Sequence, residues 1–316
     1  KDWNWTTSLN FSTNKNKVKS LAGGVALVGY GQWTDVVTRS AEGDELYAFY
    51  GYKTDGVYTS FEDLISSPVD MRSNSNPVVT NADGTKSWST NPGDYNPKTT
   101  TYTGDVKFVD VNGDGIIDEN DKTKIGSAMP KWTFGWNNTF RYKNLDLTVF
   151  VNGSIGNKVG NYMKMKLTHM NSPWQNQLVD CGNHALLAPK NGQAVDNWYY
   201  DASNVIVTNP DCAYPRASIN DPSDNDVWSD RFIEDGSYLR LKSITLGYTF
   251  DKQLIKKLGL TNLRLTLNAT NLLTITGYDG YDPEIGASTA SQNVYGLDNG
   301  RYPAPTSFTF GLNVSF

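Results

Sequence analysis

Apolar and polar side chains alternate strictly along several segments of this chain. The alternation is clearest over residues 132–142, where one face is aromatic and the other small or polar, with Asn138 as the one polar residue on the aromatic face. Alternation over about 9–11 residues is typical of a strand that crosses a membrane in a β-barrel, with its apolar side chains towards lipid. The pattern predicts such strands over 3–12, 132–142, 145–153, 262–272 and 306–316.

Two further segments are less regular. The alternation over 238–250 changes phase near Lys242 and Ser243, which predicts a β-bulge in that strand. Residues 18–30 are apolar and glycine-rich without alternating, and they are counted as one more strand. The expected fold is therefore all-β, a transmembrane antiparallel β-barrel segment of about seven strands with long extracellular loops.

The connections between these strands fall into two groups by length. If residue 316 lies on the periplasmic side, the connections made on that side are short, namely 13–17, 143–144 and 251–261. The connections on the outer side are long, namely 31–131, 154–237 and 273–305, and the strand over 3–12 runs towards the periplasm. Short turns on one side and long loops on the other are the asymmetry of bacterial outer-membrane barrels.

A soluble β-sandwich also has alternating strands and is the alternative interpretation. A sandwich has no reason to sort its loops by length, and apolar faces that end in Trp, Tyr or Phe are typical of the aromatic girdle of a barrel. A complete bacterial barrel has an even number of strands, because an open edge in lipid leaves backbone groups unpaired. With about seven strands and no leader at Lys1, the chain is expected to be a fragment or processed piece.

Composition excludes several classes of function. The 316 residues carry a net charge of −5, which gives no reason to expect nucleic acid as a partner, and no apolar stretch is long enough for a transmembrane helix. His169 and His184 are the only histidines, and neither has a second ligand at metal-binding spacing. The sequence has no phosphate-binding glycine loop and no nucleophile elbow, so we expect no enzymatic activity.

Residues 110–121 read DVNGDGIIDEND, a spacing typical of a calcium-binding loop in which Gly115 supplies the sharp turn. The predicted ligands, through side-chain oxygens and one backbone carbonyl, are Asp110, Asn112, Asp114, Ile116, Asp118 and Asp121. The last of these replaces the usual Glu, and its shorter side chain weakens binding or suits a smaller ion. A solvated turn is the alternative. A bound Ca²⁺ would hold an extracellular loop in shape, and no other cofactor is expected.

Cys181 and Cys212 both fall in the long connection 154–237. Outside the cell, such a pair is compatible with a disulfide and equally with two unrelated thiols. Spacing alone does not decide between them.

Six motifs spread over the chain are specific enough to compare with a known family. They are DWNWTTSLNFSTNKNKV (2–18), FYGYKTDGVY (49–58), the stretch 110–157 that begins DVNGDGIIDENDKTKIG, EDGSYLRLKSITLGYTF (234–250), LRLTLNATNLLTITGYDGYDPE (263–284) and RYPAPTSFTFGLNVSF (301–316). Together they resemble the C-terminal part of SusC/RagA-type TonB-dependent outer-membrane transporters. The resemblance runs from one end of the chain to the other.

This resemblance implies a barrel of about 22 strands with a plugged lumen, of which residues 1–316 are the C-terminal part without the plug and the N-terminal strands. It implies import of glycans, oligosaccharides or peptides across the bacterial outer membrane, with energy delivered by TonB to the missing N-terminal part. The implied partners are the remainder of the barrel, membrane lipid and a SusD-like surface lipoprotein that acts as a lid. The final Phe316 resembles the aromatic that the barrel-assembly machinery reads, and it also suits the lipid-facing girdle.

The connection 154–237 holds the candidate contacts for substrate or lid, which are Trp174, Trp198, Tyr199 and Tyr200. Aromatic rings stack on sugars and on peptide side chains, but packing within the loop or against the lid is favoured for these four. Residues 157–170 are expected to include a short helix. Asp279, Asp282 and Glu284 are expected to form a solvated acidic turn rather than a metal site.

Two other functions compete with transport. One is a secreted carbohydrate-binding β-domain with a structural calcium loop. The other is a glycoside hydrolase, suggested only by the number of carboxylates. The lipid-facing row of Trp132, Phe134 and Trp136 argues against both, because a soluble protein does not direct such a row towards water.

Overall fold

The computed structural model describes residues 2–31, 35–286 and 293–316. Its largest element is a six-stranded sheet in which every neighbouring pair is antiparallel and the spatial order of the strands equals their order in the chain. Such an up-and-down meander is the arrangement from which β-barrels are built. We call its members the first to sixth wall strands; they are Trp3–Thr13, Trp132–Tyr142, Leu145–Ile155, Tyr238–Thr249, Asn262–Thr276 and Ser307–Ser315.

The two faces of this sheet differ as the alternation predicts. One face, called the outer face, carries aromatic and aliphatic side chains that remain exposed, as shown by Trp5 at 56%, Leu267 at 49% and Phe310 at 69%. The inner face carries mainly Thr, Asn, Ser and charged side chains, paired in register across the strands. Because the apolar side chains of the outer face are exposed, they are not packed against a second sheet. The β-sandwich alternative is therefore wrong.

The predicted bulge in the fourth wall strand is confirmed. The register against the third strand shifts between Phe150 and Val151, and the register against the fifth shifts between Leu241 and Ser243. The insertion lies at Lys242. Because one extra residue is inserted, the alternation of apolar and polar residues shifts by one position in the sequence, while the apolar side chains stay on the same face of the sheet.

The strand predicted over residues 18–30 is not a wall strand, which corrects the count from about seven to six. Gly23 and Gly24 adopt positive φ angles of 72° and 68° in a 3-10 turn, which interrupts any extended segment there. Only Leu27–Tyr30 is a strand, and it pairs with Val36–Ser40 in a separate small sheet. The apolar residues of this segment therefore contribute to local packing and do not form a membrane-crossing strand.

This correction also reverses the first wall strand. It pairs antiparallel with Trp132–Tyr142 directly, so it runs opposite to the predicted direction and 13–17 is not a short turn at the periplasmic end. The connections at one end of the sheet are 143–144 and 250–261, and those at the other end are 14–131, 156–237 and 277–306. The predicted asymmetry of short turns and long loops therefore holds with one strand fewer.

We call the three long connections together the loop layer. Within the described residues it is built from short strands, two α-helices and several 3-10 turns. The strands are Leu27–Tyr30, Val36–Ser40, Ala48–Gly51, Thr54–Val57, Val69–Asp70, Val78–Thr80, Lys86–Trp88, Val106–Phe108, Ile116–Ile117, Thr123–Ser127, Lys158–Asn161, Leu187–Pro189, Val205–Val207, Ile233–Asp235 and Leu297–Asp298. The helices are Phe61–Ser66 and Tyr162–Leu167; a third, Lys252–Lys256, lies in the connection 250–261.

The three parts of the loop layer share one core. Phe49 from the first connection, Tyr162 and Trp228 from the second and Leu297 from the third pack in a single buried cluster. The loop layer is thus a folded body at one end of the sheet. Helix Tyr162–Leu167 falls inside the predicted range 157–170 and buries Met165 in this core. Among the residues described, no helix is long and apolar enough to cross a membrane.

Candidate functional site

A group of charged side chains lies where the inner face of the sheet meets the loop layer. Arg240 of the fourth wall strand has a side chain only 3% exposed, and its guanidinium contacts Asp282 at 2.5 Å and Glu284 at 2.9 Å. Lys242 contacts the same Glu284 oxygen at 3.1 Å. We call these four residues the inner-face cluster. A buried arginine with two carboxylate partners is held in one orientation, because each hydrogen bond to a charged group is strong.

Asp282 is not the solvated turn residue that the sequence predicted. It is buried, and it accepts backbone hydrogen bonds from Glu284 and Ala304 in addition to the bond from Arg240. Burial alone raises the pKa of a carboxyl, but here the bonds from Arg240 and the two amides outweigh burial and lower the pKa of Asp282. Asp282 is therefore ionised and structural, and the acidic turn is an anchor for the strand.

A cleft of 640 Å³ opens beside the inner-face cluster. Its walls combine charges of both signs with tyrosine rings and prolines, including Tyr238, Lys242, Glu284, Arg301 and Tyr302. Glu284 is 44% exposed, so its carboxylate is available to a ligand as well as to the two cations. Such a lining suits a polar ligand that offers hydrogen-bond donors and acceptors, since pockets place a few polar groups to fix orientation.

The predicted aromatic contacts are only partly brought together. Trp198 contacts Tyr199 edge-to-face and Tyr199 contacts Tyr200 with tilted rings, at ring-centroid distances of 6.2 Å and 4.4 Å. The first two of these residues line a second cleft of 650 Å³. Trp198 also packs on the core beneath it. Trp174 does not line this cleft and is 92% exposed. The packing role that was favoured fits Trp198 best, while Trp174 and Tyr199 present free surface.

The predicted calcium loop forms a tight turn with its carboxylates already engaged. Asp110 accepts backbone hydrogen bonds from Gly113 and Gly115, at 2.6 Å and 2.8 Å. Asp118 caps the 3-10 turn Glu119–Asp121, and the fully buried Asp121 accepts from the amides of Val111 and Asp118.

The other two predicted side-chain ligands lie on the exposed turn and also accept hydrogen bonds. Asn112 accepts from the amide of Asp114, and Asp114 accepts from the amide of Ile116 and from the side chain of Asn112. In the part of the chain that the structure describes, no group of three or more His, Cys, Asp or Glu side chains is placed to hold a metal ion. Calcium binding stays a prediction.

Both cysteines are free thiols in this structure, so the disulfide that the sequence left open is not formed. Cys181 is buried with its thiol 3.6 Å from the carbonyl oxygen of Leu167, and Cys212 packs against a different apolar cluster around Ala185. The terminal Phe316 is 90% exposed just beyond the sixth wall strand, which is compatible with both roles suggested for it.

The inner-face cluster was missed by sequence reasoning, although it left a signal. Arg240 and Lys242 lie two residues apart on one strand, and Asp282 and Glu284 lie two residues apart in the following loop. Side chains two apart on a strand share a face, so equal spacing of opposite charges is a pattern that predicts pairing.

Comparison with known proteins finds relatives of the kind that the sequence motifs predict. The chain is 32% identical over 328 aligned residues to the TonB-dependent receptor P3 of Formosa agariphila, covering all of this chain and 27% of that protein. It is 24% identical to the TonB-dependent receptor SusC of Bacteroides thetaiotaomicron, again over the whole chain and over 25% of SusC. The resemblance to SusC/RagA-type TonB-dependent receptors is confirmed.

The fold is shared with a solved transporter of this type. A chain of the RagAB peptide transporter superposes with a TM-score of 0.62 at 20% identity, covering 100% of this chain and 28% of that one. No family model matches the chain. The relatives are outer-membrane receptors and transporters and not enzymes, which confirms the predicted location and the expectation of a non-enzymatic protein. The chain spans only 25% to 28% of the length of these relatives.

Proposed function

We propose that this chain is the C-terminal barrel segment of an outer-membrane, TonB-dependent importer. The observation that carries the proposal is the alignment of the whole chain with TonB-dependent receptors, together with an outer face that stays apolar and exposed over six strands. The plug, the remaining strands and the segment that contacts TonB would lie in the rest of a longer protein. The open edges of the first and sixth wall strands would pair there, because unpaired edges are not tolerated in lipid.

The proposed cargo is a polar oligomer, either an oligosaccharide or other glycan or a peptide. The neighbouring structure named as a peptide transporter favours peptides. Glycans are retained because the resemblance of the sequence motifs to SusC/RagA-type transporters implies them. The cleft beside the inner-face cluster supports both, since it combines tyrosine rings with cationic and anionic groups. We assign the substrate contacts there to Lys242, Glu284 and Tyr302.

A SusD-like lipoprotein is the proposed partner on the loop layer. Trp174, 92% exposed, and Tyr199, 37% exposed, supply aromatic surface of the kind that is enriched at protein interfaces. The loop layer is a folded body with its own core, so it offers a preformed docking surface. We further propose that residues 110–121 hold a structural Ca²⁺ through Asp110, Asn112, Asp114 and the carbonyl of Ile116, completed by water.

The test is energised uptake by the full-length protein in its own outer membrane. Labelled oligosaccharides and labelled peptides are offered to cells with and without the gene, and with and without a protonophore. We expect the uptake of one class to require both the gene and the proton gradient, and to fall in a Lys242→Glu variant. Lys190→Gln, an exposed lysine of the loop layer outside the cleft, is the matched control and leaves uptake unchanged. If deletion of the gene changes the uptake of neither class, the proposal is contradicted.

A further inference from the structure

Arg301 lies on the wall of the cleft beside the inner-face cluster, and its positive charge is unmatched. The residue is exposed, and its side chain forms no salt bridge with any other described residue. Its Nη1 lies 3.5 Å from the backbone carbonyl oxygen of Glu284, which is too long for a strong hydrogen bond. Arg240 of the same wall, by contrast, is paired with two carboxylates. Residues 287–292, outside the described ranges, contain no Asp or Glu that could serve as a partner for Arg301.

The backbone around Arg301 is held in place without help from the Arg301 side chain. The carboxylate of the buried Asp298 accepts hydrogen bonds from the amides of Gly300 and Arg301, at 2.9 Å and 3.1 Å. Three residues further along the chain, the amide of Ala304 donates to Asp282 at 3.1 Å. Because the backbone is already fixed and the guanidinium takes no part in fixing it, the guanidinium is available to a ligand at a low cost in ordering.

Three cations converge on Glu284, and the carboxylates within reach do not neutralise all of them. Arg240 and Lys242 share the Oε2 atom of Glu284, at 2.9 Å and 3.1 Å, while Arg301 lies beside its backbone carbonyl. Asp282, the second carboxylate on the cleft wall, already accepts hydrogen bonds from Arg240 and from two backbone amides. This wall of the cleft therefore carries an excess of one positive charge, located on an arginine that is open to the cleft.

We propose that this cleft binds its cargo through a carboxylate group, which the guanidinium of Arg301 holds with Lys242 in support. A guanidinium offers two parallel N–H donors that match the two oxygens of a carboxylate. A single unmatched positive charge suits a monoanion of this kind, and the ring of Tyr302, 85% exposed on the same wall, can pack on the adjoining part of the ligand. In a saccharide the carboxylate belongs to a uronic acid, and in a peptide to an acidic side chain. The inference rests on the proposed function for the kind of ligand, a polar oligomer, and adds its charge.

Binding is tested by calorimetric titration of the full-length protein in detergent with two matched pairs of probes. One pair is an oligogalacturonate and its fully methyl-esterified form; the other is an end-blocked peptide with one glutamate and the same peptide with glutamine in its place. We expect at least one acidic probe to bind more tightly than its neutral analogue, and the pair that responds identifies the source of the carboxylate. Arg301→Gln should weaken binding of that acidic probe by about tenfold or more, the effect of losing a charge-assisted hydrogen bond, and should leave the neutral analogue unchanged.

The controls separate loss of the site from loss of the fold. Arg141→Gln removes the same charge from an exposed arginine of the second wall strand, outside the cleft, and should leave the affinity unchanged. Arg301→Gln should leave the unfolding temperature unchanged, since its side chain does not hold the backbone. The inference is overturned if neither acidic probe binds more tightly than its neutral analogue, if Arg301→Gln leaves that preference intact, or if Arg141→Gln reduces it equally. Titration reports only recognition of the carboxylate, whereas the importer proposal is decided by the dependence of uptake on the gene, so the two fail separately.

Discussion

The indole nitrogen of Trp5 donates a 3.1 Å hydrogen bond to the side-chain oxygen of Asn138 on the neighbouring wall strand. Asn138 is the polar residue that interrupts the aromatic face of 132–142, and it is buried although it belongs to the outer face. A second indole, that of Trp136, donates to the hydroxyl of Thr7 at 2.9 Å. Polar groups on the outer face are thus satisfied by tryptophan, as hydrocarbon surroundings require.

We predict that Trp5→Phe destabilises the protein by about 1–3 kcal/mol, because it leaves the Asn138 amide without its partner in an apolar environment. Adding Asn138→Val should recover most of the loss, since both polar groups are then gone. The measurement is denaturant unfolding of the full-length protein in micelles. Trp3→Phe is the matched control, as the Trp3 indole donates no hydrogen bond among the described residues. Equal losses from the two single substitutions would contradict the assigned role of the bond.

The loop layer depends on a buried ion pair between Arg216 and Asp105, whose side chains are 6% and 0% exposed. Asp105 also accepts from Ser223 and Asn225. We predict that Arg216→Ala destabilises the layer by about 3–5 kcal/mol, because an uncompensated charge remains buried. The measurement is the rate of protease cleavage within the loop layer of the intact protein.

The exposed pair Lys190–Glu62 is the control for that experiment. Its side chains are 53% and 58% exposed, and pairs of this kind contribute little to stability. Glu62→Gln should therefore leave the cleavage rate near that of the wild type. If Glu62→Gln and Arg216→Ala accelerate cleavage equally, burial does not decide the importance of the pair.

Burial raises the pKa of the Asp226 carboxyl, and the raised pKa predicts that the free energy of unfolding depends on pH. Its pKa is about 7 in the folded protein and 3.8 ordinarily, so the folded state holds a proton that the unfolded chain has released. Its favourable contribution is complete below about pH 4 and is lost as the pH rises through about 7. We expect Asp226→Asn to unfold at a higher temperature than the wild type at about pH 8, with a gap that narrows towards about pH 5. Asp196→Asn, at an exposed position, should show no such gap, and a pH-independent gap for Asp226→Asn would refute the assignment.

If residues 110–121 bind Ca²⁺, the ion should stabilise the folded loop layer. Calcium at about 100 times its dissociation constant should stabilise the folded loop layer by about 2.7 kcal/mol, and a chelator should reverse the effect. Asp110→Ala and Asp114→Ala should abolish the response, whereas Asp83→Ala, at an exposed turn elsewhere in the layer, should not. The readout is the thermal unfolding temperature of the full-length protein. If neither calcium nor the chelator changes the unfolding temperature, the calcium prediction is wrong and residues 110–121 are only a hydrogen-bonded turn.

Sequence reasoning found the wall strands because alternation is a local property of the chain. The six wall strands were placed to within a few residues, and the phase change near Lys242 located the bulge in the fourth. The same reasoning failed at 18–30. Hydrophobicity without alternation does not distinguish a membrane strand from a segment such as Leu27–Tyr30, whose neighbours in its own sheet come from elsewhere in the loop layer.

The candidate sites could be predicted less well, because they join residues that are distant in sequence. Arg240 and Asp282 are 42 positions apart, and Arg216 and Asp105 are 111 apart. The equal spacing of charges is a signal for the first pair only, and no local pattern reports that Arg216 and Asp105 meet inside a folded body. The strands of the loop layer are also only two to five residues long, too short for a period to appear.

The most direct test of the account is a spin-label scan along residues 263–270 of the full-length protein in lipid vesicles. Each position in turn carries a single cysteine with a nitroxide label, after Cys181 and Cys212 are replaced by Ser. We predict that collision rates with oxygen, which concentrates in lipid, peak at Leu263, Leu265, Leu267 and Ala269, while a water-soluble nickel chelate reaches Arg264, Thr266, Asn268 and Thr270. Low access of both reagents at all four apolar positions would place them inside a soluble core and contradict the account.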